Sequence, residues 1–134
     1  MNRLASMHED ARGLLGVLEF AQLPFSPQRF FWISDVPSGM ARAGHAHRNC
    51  TQLLIGLSGS VVATVTSQHG VSERSMLQPG DSLLIHPRHW LTLSDFTPHS
   101  VLGVLASQPY DPAEYITDIA EFNELTINQS SRSA

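Results

Sequence analysis

The run Gln52-Leu53-Leu54-Ile55-Gly56-Leu57-Ser58-Gly59-Ser60-Val61-Val62-Ala63-Thr64-Val65-Thr66 holds two apolar segments joined by a Ser-Gly turn. The second is rich in β-branched residues and alternates, the pattern of a half-buried strand. On the C-terminal side of this run, Gln68-His69-Gly70 reads as a turn and Glu73 to Leu77 as a short strand. Pro79-Gly80-Asp81 is a sharp turn before Ser82-Leu83-Leu84-Ile85-His86, and Pro87-Arg88 separates that strand from His89-Trp90-Leu91-Thr92-Leu93. Ser100-Val101-Leu102-Gly103-Val104-Leu105-Ala106 is the last strand.

On the N-terminal side, Gln28 to Ser34 is aromatic-rich and extended, and Leu23-Pro24-Phe25-Ser26-Pro27 connects it to a strand over Leu14–Phe20. The first dozen residues read as frayed, with a turn at Asp10-Ala11-Arg12-Gly13. Short strands separated by turn signals about every ten residues predict an all-β antiparallel sandwich or barrel, a small jelly roll. One helix closes the chain. Asp111 is its cap, Pro112 its first residue and Glu114 completes a capping box. Tyr115, Ile116, Ile119, Ala120 and Phe122 form the docking stripe, with Tyr110 and Tyr115 assigned to helix packing. Residues from Thr126 onward are polar and are expected to be loose.

The 134 residues suit a single domain, with a core over about residues 10–123. The net charge of -4 argues against nucleic acid as the main partner. The eight basic residues are all arginines, so Schiff-base chemistry through a lysine side chain is excluded. Cys50 is the single cysteine, which rules out an intrachain disulfide. No signal-peptide pattern and no run of ~20 apolar residues are present, giving a cytoplasmic expectation and no membrane partner.

Chemistry concentrates in Arg42-Ala43-Gly44-His45-Ala46-His47-Arg48. Strand alternation puts His45 and His47 on one face and Ala46 on the other. Imidazoles paired this way can bind a metal, move protons near neutral pH, or serve only as hydrogen-bonded core. A metal needs more ligands than this pattern supplies, and only His86 or His89 could complete a noncanonical set. Thr51 and Gln52 stand where a metal cupin carries glutamate, and Thr92 stands where it carries a third histidine. Proton transfer needs a base, a relay and a cation to steady an oxyanion, and the stretch from Arg42 to His47 holds all three. The site is therefore expected to hold no metal and no cofactor.

Ordered along the chain, Asp10-Ala11-Arg12-Gly13, Leu23-Pro24-Phe25-Ser26 with Arg29, His45-Ala46-His47-Arg48 with Gln52, and Leu57-Ser58-Gly59-Ser60 form one set. Trp90 with Asp95-Phe96, Leu105-Ala106-Ser107, and Tyr110-Asp111-Pro112-Ala113-Glu114-Tyr115-Ile116 complete it. This set resembles the dTDP-4-keto-6-deoxyglucose 3,4-ketoisomerases, the WxcM-like sugar-nucleotide cupins. The resemblance implies a homodimeric, RmlC-like jelly roll that moves a ketone from C4 to C3 of a dTDP-linked 6-deoxyhexose without a metal. It implies His47 as the base, His45 as the relay and Arg42 as the cation beside the enediolate or diphosphate. Arg12, Arg29, Trp32, Gln52 and Trp90 are implied substrate contacts. The family usually carries a tyrosine where Trp32 stands, and Arg-Gly where this chain has Arg42-Ala43. An epimerase on the same substrate class, a non-catalytic sugar-nucleotide binder and, last, a metal-dependent dioxygenase are the alternatives.

Overall fold

The computed structural model describes residues 3–132, with side chains through residue 125. Two antiparallel sheets face each other. One has the order β3-β10-β5-β8, built from Arg29–Ser34, Val101–Ala106, Gln52–Ser58 and Ser82–Ile85. The other has the order β11-β4-β9-β6-β7, built from Tyr115–Ile116, Arg42–His47, Trp90–Ser94, Val61–Thr66 and Ser72–Leu77. This is the jelly roll the strand spacing predicts.

Leu54, Ile85, Leu102 and Val104 from the first sheet meet Val61, Ala63, Leu77, Leu91 and Leu93 from the second, forming the core between the layers. Although β5 and β6 are separated only by Gly59-Ser60, they lie in different sheets. The corner needs its glycine. Gly59 has φ +63°, and a Cβ there would sit 2.5 Å from Thr97 Oγ1.

Strands β5 and β10 are apolar on both faces, as in sheets covered on both sides. Their outer faces, with β3, present Phe30, Trp32, Ile55, Leu57 and Leu105 around Gly103. The N-terminus covers part of this surface, which corrects the expectation of a frayed segment. Ser6–Asp10 (β1) pairs with Gly13–Val17 (β2) as a hairpin. Arg3 anchors its base through a 2.9 Å ion pair with Asp81, and the Leu4 N–H donates to Ser82 Oγ. The polar string Ser6-Met7-His8-Glu9-Asp10 carries no alternation, so only the turn betrays the hairpin. Strand β2 stops at Val17, and Phe20–Gln22 is a single 3-10 turn.

The C-terminal segment also departs from expectation. Asp111 accepts from the Ala113 N–H, but the turn it caps covers only Pro112–Glu114. Tyr115–Ile116 is a strand, and the helix α1 begins at Ile119 and continues through Arg132, past the Thr126 boundary set for a loose tail. Residues 133–134 lie outside the described residues. The β-branched Ile116 and the ladder offered by β4 outweigh the capping signal. Phe122 packs with Ala46, Ile116 and Trp90, so α1 lies on the outside of the second sheet.

Candidate active site

Strand β4 carries the histidines on a bulge. Arg42 pairs with Leu93, Ala43 with Thr92 and His45 with Leu91, leaving Gly44 without a partner. Ala43 and Gly44 both lie in the left-handed region, at φ 66° and 72°. A bulge bends a strand and re-aims the side chains beyond it. Past Gly44 the alternation is regular. Ala46 faces outward under α1, while the His45 and His47 rings sit edge-to-face on the inner side, 4.9 Å apart.

His47 is 3% exposed, yet neither ring nitrogen has a hydrogen-bond partner among the described residues. Burial, the neighbouring His45 and the Arg29 cation lower its pKa to about 4, with Glu114 opposing. His47 is therefore a neutral imidazole at neutral pH, with a free lone pair. His45 is also shifted down by burial, offset by a hydrogen bond with the Ala43 backbone.

The facing sheet contributes a cross-strand row. Arg29 lies opposite Ala106, which lies opposite Gln52, which lies opposite Ile85. Ile85 is core, so the row points inward. Arg29 lies over the Phe31 and Tyr110 rings at 5.3 and 5.6 Å, and its buried Nε has no partner among the described residues. Gln52 is 3% exposed. Buried polar atoms normally find partners. Among the described residues, the three buried side-chain nitrogens that lack one, on Arg29 and His47, gather at one end of the barrel. Such a cluster leaves hydrogen-bonding capacity that a polar ligand can take up.

Tyr115 is the residue the sequence reading missed. It lies opposite His47 in the β11–β4 ladder, its ring centroid 4.5 Å from that of His47 and 5.0 Å from that of His45. Arg29 Nη1 donates to its hydroxyl at 3.4 Å. The alternation Tyr115 inward, Ile116 outward was the available signal, hidden by assigning both to a helix. Glu114 fixes the ladder. Its carboxylate accepts from the Asn49 and Cys50 N–H groups at 2.6 and 2.8 Å, so it is not the capping-box residue. These bonds hold its carboxyl below the usual range against the opposing effect of burial, which is the largest single influence. The Arg88 N–H donates to the His47 carbonyl, bringing the turn with His86 and His89, rings 5.5 Å apart, to the same end.

Four expected site residues lie elsewhere. Trp32 points to the outer face of the first sheet, 63% exposed and 6.0 Å from Phe30, because it alternates with the inward Phe31 and Ile33. Phe31, not Trp32, is the β3 aromatic inside the barrel. Trp90 lies outside the second sheet, 5.6 Å from Phe122, because Leu91 and Leu93 take the inward positions. Arg12 stands at the hairpin turn, bound to Asp10 at 2.7 Å. Arg42 is exposed and has no ion-pair partner among the described residues. The cation facing His47 is Arg29. Among the described residues no three His, Cys, Asp or Glu side chains are grouped to hold a metal.

The family model described as FdtA, WxcM-like, C-terminal, matches residues 1–127. The chain belongs to this family. It is 32% identical over 116 residues to the TDP-4-oxo-6-deoxy-alpha-D-glucose-3,4-oxoisomerase of Aneurinibacillus thermoaerophilus, covering 86% of this chain and 84% of that one. The QdtA 3,4-ketoisomerase of Thermoanaerobacterium thermosaccharolyticum, solved with TDP, superposes with a TM-score of 0.86 at 29% identity, covering 93% of this WxcM-like chain and 92% of that chain. The WlaRB TDP-quinovose 3,4-ketoisomerase of Campylobacter jejuni superposes at 0.81 with 33% identity, over 91% and 95% of the two chains.

Proposed function

We propose that this WxcM-like protein is an isomerase that converts a dTDP-4-keto-6-deoxyhexose to its 3-keto isomer. Acid–base catalysis proceeds through an enediol, in the synthesis of deoxy- or aminosugars. The observation that carries the reading is His47, buried, neutral and without a partner, facing a guanidinium across the barrel. Sequence relatives with this activity support the substrate class.

The reaction moves one hydrogen between carbons and one between oxygens. His47 takes the proton from C3, the electron pair forms the C3–C4 double bond, and charge develops on the C4 oxygen. Arg29 is the nearest cation to steady it, a role assigned to Arg42 from the sequence, and a partly buried cation is less screened there than one in open solvent. His45 carries the hydroxyl proton between the oxygens, and His47 returns its proton to C4. Gln52 orients the sugar through its amide. Arg42 and Arg12 remain candidates for the diphosphate; Trp32 and Trp90 lie outside this end of the barrel.

A homodimer fits the outer face of the first sheet. Phe30, Trp32 and Leu57 are 52, 63 and 46% exposed there, and Leu14 and Phe20 of the hairpin segment 56 and 57%. Together with the groove of about 490 Å3 between hairpin and sheet, these side chains make an apolar face of the kind that marks an interaction surface. A cytoplasmic setting suits the buried free thiol of Cys50.

Proton NMR of dTDP-4-keto-6-deoxyglucose in D2O tests the reading. Wild-type protein should introduce ring deuterium and form the 3-keto product, and His47→Asn should lose both by at least ~10³-fold. Deuterium at C5 instead would make the protein an epimerase. Absence of exchange with wild type overturns the isomerase assignment for this sugar.

A further inference from the structure

Tyr115 is more than packing for the histidines. Had β11 needed only a ring against His47, phenylalanine would serve as well. The hydroxyl instead projects to the Arg29 guanidinium on the opposite sheet, accepting from Nη1 at 3.4 Å. An oxygen that accepts from a cation keeps its own proton free to donate. Its ring touches both imidazoles, at 4.5 and 5.0 Å between centroids, so the hydroxyl opens on the space that His45, His47 and Arg29 border. The position is held from two directions. Ile116, fully buried under α1, anchors one side of the strand, and Glu114 is bonded to the Asn49 and Cys50 N–H groups on the other. A two-residue strand fastened at both ends presents one side chain inward, and that side chain carries the hydroxyl the site otherwise takes from no β3 residue, since Phe31 faces inward there.

Resting on the isomerase reading above, we propose that Tyr115 is a catalytic residue, the proton donor to the C4 oxygen and the acceptor of the C3 hydroxyl proton. The atoms balance. His47 removes the C3 hydrogen as a proton, the C–H pair becomes the C3–C4 double bond, and the carbonyl π pair moves to the C4 oxygen. That oxygen takes the Tyr115 phenolic proton, and Arg29 holds the phenolate. In the second half the C3 hydroxyl releases its proton to the phenolate by way of His45. Its electron pair forms the new C3 carbonyl, and the double-bond pair takes the proton from His47 at C4. Tyrosine and histidine end as they began, with no oxidant or reductant consumed.

The experiment compares wild type, Tyr115→Phe and His47→Asn on dTDP-4-keto-6-deoxyglucose in D2O, reading kcat, KM and ring deuterium. Phenylalanine keeps the ring contacts, so a thermal melt close to wild type checks that β11 is in place. Loss of the hydroxyl should lower kcat by about 10²–10³-fold with KM changed less than ~3-fold. The loss should fall on kcat while KM and the melt stay close to wild type, a split that a purely structural role would not give. Wild-type-like kcat in Tyr115→Phe, alongside an inactive His47→Asn, overturns the Tyr115 role and leaves the isomerase reading standing. No turnover by wild type overturns both.

Discussion

At the residue scale the decisive quantity is the charge state of His47. Its pKa, near 4 in the fold and about 6.5 in an unfolded chain, fixes two pH dependences. The unfolded chain binds the extra proton first, so this residue's stabilisation is complete above pH 6.5. It is lost as the pH falls from 6.5 toward 4, by at most about 3 kcal/mol. Denaturant melts across that range should show the decline, and His47→Asn should flatten it. The same depression keeps the base competent in mild acid. The acid limb of kcat/KM should therefore fall well below pH 6 in wild type, and Arg29→Gln, which removes one depressing charge, should move it upward. The pairing of His45 with His47 was legible because alternation alone specifies it. The cation was not. Arg29 and Arg42 are equally plausible in one dimension, and only the register of β3 against β10, and of β10 against β5, brings Arg29 to the inner row.

At the scale of elements, the bulge and β11 shape the site. Glu114→Gln keeps the side-chain shape but weakens two charge-assisted bonds to the turn after His47. About 1–2 kcal/mol should be lost, a drop of roughly 5 °C in Tm. A calorimetric scan checks it, and kcat should fall too as His47 and Tyr115 lose their register. Nine of the strands could be read from runs and turns. The exceptions have physical reasons. Strand β1 is polar and mostly exposed, so it offers no periodicity, and β11 is too short for any period to develop. The Asp-Pro-x-Glu signal before β11 is genuine local chemistry, but it caps one 3-10 turn because β4 offers the following residues a better partner.

For the whole molecule, the two faces of the first sheet have separate duties. The inner face builds the core and half of the site, while the outer face is apolar and only partly covered by the hairpin. Trp32→Glu places a charge at the centre of that exposed face, far from the histidines. In sedimentation experiments it should weaken self-association by at least ~30-fold, as loss of an aromatic anchor does. A wild-type protein that sediments as a monomer at micromolar concentration would remove the dimer assignment. The sandwich architecture was evident from turn spacing. The sidedness of Trp32 and Trp90 was not, because a strand apolar on both faces hides which is inward until neighbouring strands set the phase.

The pairing of β4 with β11 also dictates an order of events in synthesis. The contacts that seat Tyr115 and Glu114 bridge about 65 positions of chain. A nascent chain that has emerged as far as Ala106 has both sheets' principal strands and both histidines, yet its proton-transfer machinery is unfinished. Closure of such a distant contact comes late. A growing chain thus holds every residue of its inter-sheet core before its site is complete, and the last strand to arrive works as the latch.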